Sequence, residues 1–341
     1  MATPKKKIKV IDIAKKCGLS PATVSQALSN KGRISPETRE YIETIAREMG
    51  YKRPSQKTHL NVGVLFSLSI DESYVWPFLR SFIEAFNEAI TSLGYHMYLI
   101  PYKRGEGHKA LLAKMETANI SGLITLHLAE QELLDQLNRL NIPFVVIMDN
   151  RYQQKYASVC NDDFQGAYDA GKYLLSMGHK VIGYIGMIHP ETPLMGSDRH
   201  HGVQKAFTEA GLVLDDEHCV GVDNFNDKNE IKEKIHTLLN LPNPPTALFC
   251  LHDYLAERIL NVLELNGIHV PDDISMIAIG DTLDYGAIGV PQITTMRSET
   301  AQMGDLAADF LHKMITSPKP KQTLGIKLNQ TLIERDSCIQ Q

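Results

Sequence analysis

The sequence lacks the features of a membrane or secreted protein. No apolar run approaches the roughly 20 residues that a helix needs to cross a bilayer, so we expect no membrane partner. The opening Met-Ala-Thr-Pro-Lys-Lys-Lys has positive charge but no apolar segment behind it, which argues against a secretory signal. The 5 cysteines are scattered and show no Cys-x-x-Cys spacing. This usage favours reduced thiols in a cytoplasmic protein over a disulfide framework or a zinc site.

Common catalytic motifs are also missing. The chain contains no Gly-x-Ser-x-Gly, Gly-x-Gly-x-x-Gly, phosphate-loop or His-Glu-x-x-His pattern. The adjacent His200 and His201 would diverge by about 100° on a helix, so they cannot easily share a metal ion. We therefore expect no catalytic residues, no cofactor and no metal, and the sequence predicts that the protein is not an enzyme.

Two short helical patterns are present near the start of the chain, on either side of Gly18. The first has the i, i+3, i+4, i+7 spacing of one apolar face, formed by Val10, Ile13, Ala14 and Cys17. Gly18 can adopt the left-handed conformation that ends a helix, and Ser20-Pro21 is typical of a new helix start. In that second helix Val24, Ala27 and Leu28 should point inward. The pattern predicts two helices meeting at a tight corner.

The outer face of the second helix is small, hydroxylated and amide-bearing, which suits a DNA major groove. Ser35 and Pro36 then open a third helix, whose inner stripe is Ile42, Ile45, Ala46 and Met49. An ordinary helical hairpin would explain two helices. Three helices in about fifty residues are instead typical of a minimal DNA-binding domain.

Charge is divided unevenly along the chain, although the net charge is only −5. Residues 1–57 hold 13 Lys/Arg against 5 Asp/Glu, whereas the remainder holds 22 against 35. A basic head on an acidic body is expected of a protein that places one end on a polyanion. A solvated basic tail is the alternative, but here the basic residues are interleaved with helical periodicity.

From Val62 onward, strand and helix signals alternate. Short apolar runs such as 62–66, 95–100, 122–126 and 144–148 are separated by amphipathic segments, and a second series begins near Gly166. This order predicts two doubly wound α/β lobes with a cleft between them.

Several motifs resemble the lactose/purine (LacI-type) repressor family, and the resemblance covers nearly the whole chain. They are Asp12-Ile-Ala-Lys-Lys-Cys-Gly-Leu-Ser, Ala22-Thr-Val-Ser, Arg33-Ile-Ser-Pro-Glu-Thr-Arg, Met49-Gly-Tyr, Met177-Gly-His-Lys-Val-Ile-Gly-Tyr-Ile-Gly, Val270-Pro-Asp-Asp-Ile-Ser and Pro291-Gln-Ile-Thr-Thr-Met-Arg. The resemblance implies a helix-turn-helix headpiece and a sensor core of the periplasmic sugar-binding-protein fold. It also implies operator DNA, a small effector and a second copy of the chain, in a homodimer, as partners.

The expected domains follow from this resemblance. Residues 1–51 form the headpiece, 52–61 a short linker and 62–341 the effector-binding and dimerisation core. Lobe 1 would span about 62–160 and 291–321, and lobe 2 about 161–290 and 322–341. The family usually carries a longer linker with an Ala-Arg-x-Leu hinge helix that inserts a leucine into the minor groove. Here Leu60 is the only apolar residue of the linker available for that role.

DNA contacts are expected from the second helix and the segment after it. The residues are Ser20, Pro21, Ala22, Thr23, Ser25, Gln26, Ser29, Asn30, Lys31 and Arg33. Ser20, Thr23, Ser25, Asn30, the lysines and Arg33 should position the backbone of the duplex. Ala22 can contact a thymine methyl group, and Gln26 can pair with adenine.

Effector contacts are expected after the strands, because ligands of open α/β sheets collect at the carboxyl ends of the strands. The residues are Trp76, Phe78, His127, Asp149, Arg199, Phe225, Asp253 and Asp281. Carboxylates and an arginine bind paired hydroxyls while aromatic rings cover apolar C–H faces, a mixture that suits a sugar. By resemblance, Arg199 is the effector-clamping arginine and Phe225 an aromatic lid. The sequence predicts a DNA-binding repressor controlled by a carbohydrate, with a solute-binding protein and a sugar-modifying enzyme as alternatives.

Overall fold

The structure is a computed structural model that describes residues 8–28, 34–49, 51, 60–67, 76–102, 108–126, 130–188, 194–317 and 324–341. The chain divides into two compact units, Met1–Thr58 and His59–Gln341. Each unit has its own hydrophobic core.

The first unit contains three helices, α1 (Val10–Cys17), α2 (Pro21–Leu28) and α3 (Pro36–Glu48). Gly18 has φ +66° and ends α1, and the hydroxyl of Ser35 caps α3 by accepting from the backbone N–H of Thr38. The predicted inner stripes meet in one core, whose buried members are Ile13, Ala14, Val24, Ala27, Leu28, Ile42 and Ala46. The predicted three-helix unit is therefore confirmed in the described residues.

The second unit is built on two sheets. In the order along the first sheet, its strands are β11 (Gly325–Leu328), β5 (Ser158–Asn161), β4 (Phe144–Ile147), β3 (Ile120–Leu126), β1 (Leu60–Ser67) and β2 (Tyr95–Tyr102). All the neighbouring pairs are parallel. The helices that precede or cover these strands are α4 (Trp76–Ser92), α5 (His108–Thr117), α6 (Gln131–Arg139) and α11 (Thr300–Thr316).

The second sheet repeats this arrangement. In spatial order its strands are β12 (Thr331–Ile333), β10 (Thr294–Arg297), β9 (Ser275–Gly280), β8 (Ala247–Cys250), β6 (Ile182–Gly186) and β7 (Cys219–Gly221). Only the β10–β12 pair is antiparallel among the described strands of this sheet. Its helices are α7 (Asp163–Ser176), α8 (Leu194–Glu209), α9 (Lys228–Leu239) and α10 (Asp253–Leu265). The predicted class, two doubly wound α/β lobes, is confirmed.

The chain passes between the two sheets at three places. The first follows Asn161, the second lies between Arg297 and Thr300, and the third lies between Leu328 and Thr331. Two expected boundaries are therefore wrong. Residues 291–297 were assigned to lobe 1, but β10 extends the second sheet. The stretch after 322 was assigned wholly to lobe 2, but β11 pairs with β5 in the first sheet.

The reason for this difference is strand pairing, which local sequence patterns do not encode. α11 packs on the first sheet, where Leu311 and Ile315 cover Gly122. The chain therefore has to cross before α11 rather than at residue 290, and it returns only after β11.

The linker also ends earlier than expected. Leu60 and Asn61, which were assigned to it, begin β1 and pair with Tyr95 and His96 of β2. Residues 52–59 lie outside the described part of the chain. Because the backbone of Leu60 is part of a sheet, Leu60 is poorly suited to the expected role of a minor-groove wedge.

Candidate functional site

The outer face of α2 is open to solvent. Ser20, Pro21, Ala22, Ser25 and Gln26 are exposed and Thr23 is half-buried. On the opposite face, Val24 and Ala27 are 0% exposed. The 3.6-residue period of the helix therefore separates a buried face from a polar face, as the sequence predicted.

Local hydrogen bonds fix the start of this helix. The hydroxyl of Ser20 accepts a hydrogen bond from the backbone N–H of Thr23 at 3.0 Å, and the two hydroxyls are 2.8 Å apart. At its other end, Arg39 of α3 donates from Nη1 to the carbonyl oxygen of Ala27 at 3.0 Å. The Arg39 hydrogen bond joins α2 to α3. Four of the predicted DNA-contacting residues, Ser29, Asn30, Lys31 and Arg33, lie outside the described residues.

In the second unit, the structure brings several predicted effector residues to the carboxyl end of the second sheet. β6 and β8 are neighbours there although β7 lies between them in sequence, so this is the topological switch point of the sheet. Ligands of doubly wound folds bind at such points. The carbonyl oxygen of Leu251, directly after β8, accepts a 2.5 Å hydrogen bond from Nη1 of Arg199.

Arg199 is buried and paired inside the protein. Its Nε and Nη2 both donate to Oδ1 of Asp163, at 2.9 and 2.7 Å. Both residues are 5% exposed. Burial raises the pKa of the Asp163 carboxyl, and the charge and hydrogen bonds of Arg199 oppose that rise. Asp163 was not among the predicted site residues.

His252 follows Leu251 and caps α10. Its Nδ1 accepts from the backbone N–H of Leu255 at 3.0 Å, and its ring meets that of Phe225 edge to face at 4.8 Å. Burial and the positive charge of Arg199 lower the pKa of His252 to about 3. The imidazole is therefore neutral at physiological pH.

Asp253 organises the loop after β9. It accepts hydrogen bonds from the backbone N–H groups of Thr282 and Leu283, at 2.5 and 3.1 Å, and from the Thr282 hydroxyl at 2.9 Å. It is 1% exposed, and burial raises its pKa although these hydrogen bonds oppose the rise. In this structure the carboxylate holds a loop of its own lobe, and its contact with an effector stays a prediction.

Asp281 is likewise held by its own lobe. It accepts from Arg297 Nε and Arg335 Nη2, both at 2.6 Å, and from the Thr295 hydroxyl at 2.9 Å. Burial raises the pKa of Asp281, but the hydrogen bonds from Arg297, Arg335 and Thr295 outweigh it and leave the pKa below its usual value. Its φ of +69° places it in the left-handed region at the end of β9. A role in effector binding stays a prediction here too.

The first lobe contributes Asp149, which follows β4. Asp149 is 6% exposed and makes a two-point ion pair with Arg151, through Nε at 2.9 Å and Nη2 at 2.6 Å. The next residue, Asn150, donates from Nδ2 to Asp198 of α8 at 2.6 Å. This hydrogen bond joins the two lobes one residue away from Arg199.

The remaining aromatic and histidine predictions have different outcomes. Phe225 is 4% exposed and packs in the core of the second lobe, beside His252. Trp76 and Phe78 lie in the first turn of α4, which agrees with a position after β1, but their side chains are outside the described residues. His127 also lies outside them.

The sequence reasoning missed Asp163 and Asp198. Asp163 follows β5, a strand of four residues (Ser-Val-Cys-Asn) without a continuous apolar run, so the local pattern does not indicate a strand end there. Among the described residues, no group of three His, Cys, Asp or Glu side chains could hold a metal ion. No described helix is both long and apolar enough to span a bilayer.

Family models match two parts of the chain. The model of bacterial regulatory proteins of the lacI family matches residues 9–54, and the model of the periplasmic binding protein-like domain matches residues 172–338. The HTH-type transcriptional repressor PurR of Erwinia tasmaniensis is 30% identical over 332 residues, which cover 96% of this chain and 95% of that repressor.

Two solved structures show the same fold. The transcriptional regulator CelR in complex with cellobiose is 23% identical with a TM-score of 0.70, covering 97% of this chain and 100% of that one. The lac repressor dimer bound to operator and the anti-inducer ONPF is 20% identical with a TM-score of 0.68, covering 98% and 100%. The matched relatives are regulators, which supports the prediction that the chain is not an enzyme. With its helix-turn-helix unit, its two doubly wound lobes and this identity along nearly its whole length, the chain belongs to the LacI family of DNA-binding transcriptional repressors.

Proposed function

We propose that the protein is a sequence-specific repressor whose operator binding is controlled by a small effector, a sugar or sugar derivative, in the cleft between its lobes. The proposal of DNA binding rests on one observation: α2 has a polar, exposed face, and its opposite face is fully buried. The protein would work in the cytoplasm as a homodimer. Support for the dimer comes from the operator-bound lac repressor, which is a dimer and shares the fold.

In this proposal α2 enters the major groove of the operator. Ala22 contacts a thymine methyl group, and Gln26 reads adenine with its amide. Ser20, Thr23 and Ser25 contact phosphates, together with Ser29, Asn30, Lys31 and Arg33. The contacts to phosphate set affinity and its salt dependence, whereas Gln26 sets the sequence preference.

The effector half rests on the placement of Arg199, His252 and Asp253 at the switch point of the second sheet. Asp149, Phe225, Asp281, Trp76, Phe78 and His127 complete the proposed lining. The bound cellobiose of CelR supports a carbohydrate as the ligand class. The hydrogen bond between Asn150 and Asp198 connects the lobes beside this point. A ligand bound here would therefore change how the two lobes are positioned relative to each other.

The test of DNA binding is selection of duplexes from a random library, followed by anisotropy titration of the selected sequence. We expect Gln26→Ala to weaken binding to that sequence by about 1–3 kcal/mol and to relax the preference at one base pair. The matched control is Thr44→Ala, which removes an exposed polar side chain from α3. Equal binding by the parent chain and Gln26→Ala would contradict the assignment of α2.

The test of the effector site is a thermal-shift screen with sugars, sugar phosphates, nucleobases and amino acids. A ligand that binds only the folded chain stabilises it by about 2.7 kcal/mol at a hundredfold excess over Kd. We expect a sugar to raise the Tm, to lose this effect in Arg199→Ala and to change the affinity for the selected DNA. A hit that survives Arg199→Ala would place the effector elsewhere.

A further inference from the structure

The arginine at the switch point has a carboxylate partner within its own chain. Asp163 occupies the Nε–Nη2 edge of Arg199, and Leu251 takes a hydrogen bond from Nη1. That edge of a guanidinium is one that carboxylates and phosphates use for two-point binding. In Arg199 it is already occupied.

The surroundings of this pair are acidic. Asp198 lies one residue before Arg199, and Asp162 one residue before Asp163; both oppose ionisation of Asp163 by their charge. Arg151, the basic residue next to Asn150, is paired with Asp149. Arg297 and Arg335 are both paired with Asp281. Arg151 is therefore matched by one aspartate, whereas Arg297 and Arg335 share the single carboxylate of Asp281.

We propose that Asp163 determines the charge class of the effector: by holding Arg199 it restricts the cleft to uncharged, hydroxylated ligands and excludes phosphates and carboxylates. This inference rests on the proposed effector role of the cleft. It assigns to Asp163 the part of a specificity-determining residue.

The physical reason is the free-energy cost of leaving a buried charge without its partner. An anion could take the Nε–Nη2 edge of Arg199 only by displacing Asp163, and a buried carboxylate without its partner is strongly unfavourable. A hydroxyl group makes no such demand. It can accept from the guanidinium N–H groups that Asp163 and Leu251 leave over, because Arg has five of them and the hydroxyl brings no charge.

The first experiment uses the unmodified chain and pairs of ligands that differ only in charge. Ribose, cellobiose and other neutral sugars are titrated calorimetrically beside their phosphate esters or uronates. We expect each anionic partner to bind at least tenfold more weakly than the neutral sugar. An anionic ligand that binds the cleft as tightly as its neutral partner would overturn the proposal.

The second experiment tests the role of Asp163 and does not require the effector to be known. Sulfate is titrated at constant ionic strength against the parent chain, Asp163→Asn and the matched control Asp162→Asn, which removes the same charge one residue away. We expect saturable sulfate binding in Asp163→Asn, at least tenfold tighter than in the other two. The double variant Asp163→Asn, Arg199→Gln should lose it.

The outcomes separate the two proposals. If no sugar binds the parent chain, the carbohydrate assignment is wrong, while the sulfate titration still decides the role of Asp163. If Asp163→Asn gains no sulfate binding although it is folded, or if the parent chain binds sulfate through Arg199, the role of Asp163 is refuted. Should Asp163→Asn fail to fold, the titrations of neutral and anionic ligand pairs on the unmodified chain decide the proposal.

Discussion

At the scale of single residues, the polar groups at the carboxyl end of the second sheet are held by specific partners. His252 shows this most clearly, because one ring nitrogen caps α10 while the ring packs on Phe225 close to Arg199. A protonated imidazole would be a second positive charge in a buried site. The histidine therefore couples folding to pH.

The sign of this coupling follows from the two pKa values. Unfolded, His252 titrates near 6.5, whereas folded it has a pKa of about 3, so below pH 6.5 the unfolded chain gains a proton that the folded chain does not. The free energy of unfolding should fall by about 2 kcal/mol between pH 7 and pH 5 from this residue alone. This contribution is complete above pH 6.5.

Urea unfolding at several pH values measures it against His252→Asn. Asparagine keeps the capping function, and all other titrating groups are common to both chains. We expect the stability of the parent chain relative to His252→Asn to fall by about 2 kcal/mol between pH 7 and pH 5. Parallel curves would show that His252 is freely protonated in the folded chain.

At the scale of elements, the second lobe depends on a close crossing of α7 and α8. A Cβ at Gly202 would lie 2.3 Å from the carbonyl oxygen of Phe164 and 2.9 Å from the backbone nitrogen of Tyr168. A Cβ at Gly171 would instead meet the methyl group of Ala206 at 2.9 Å. Because α8 carries Arg199 and α7 begins at Asp163, this crossing sets the distance between them.

Gly202→Ala and Gly171→Ala form a matched pair. Backbone atoms cannot move aside independently, so we expect Gly202→Ala to cost about 2–3 kcal/mol of unfolding free energy. Gly171→Ala should cost less, about 1–2 kcal/mol, since its Cβ would meet one methyl carbon at 2.9 Å instead of a backbone oxygen at 2.3 Å, and alanine favours a helix. Chemical unfolding checks both, and a Gly202→Ala chain as stable as Gly171→Ala would contradict the close crossing.

The elements also show what local pattern predicts. The three headpiece helices were predicted with their buried faces because spacing and capping residues are local signals. β5 (Ser-Val-Cys-Asn) and β7 (Cys-Val-Gly) were not predicted because they lack the continuous apolar run that marks the four-residue strands β4 and β8. Because β5 was not predicted, Asp163, which follows it, was not among the predicted site residues.

At the scale of the second unit, side chains at the three crossings between the sheets meet one another. The hydroxyl of Ser298 accepts from Nδ2 of Asn161 at 3.2 Å and from Nε2 of Gln330 at 3.1 Å. All three residues are buried. One hydroxyl therefore joins the three chain segments that connect the lobes.

Ser298→Ala tests this junction. The substitution leaves two buried amide N–H groups without their acceptor, so we expect a loss of about 2 kcal/mol in the free energy of unfolding. The control, Ser176→Ala, removes an exposed hydroxyl from the end of α7 and should change stability by less than about 0.5 kcal/mol. Urea unfolding compares the two variants, and equal stability would mean that the junction contributes nothing.

The sequence by itself determined the helix-turn-helix unit, the repeated strand–helix order and the family, because these depend on spacing, capping residues and local motifs. The positions of the sheet crossings and the partners of Arg199, Asp253 and Asp281 were decided only by the tertiary structure. Those partners are distant in the chain: Arg199 meets Asp163 and Leu251, and Asp281 meets Arg335. Strand pairing and buried charge compensation are long-range interactions, so no local pattern encodes them.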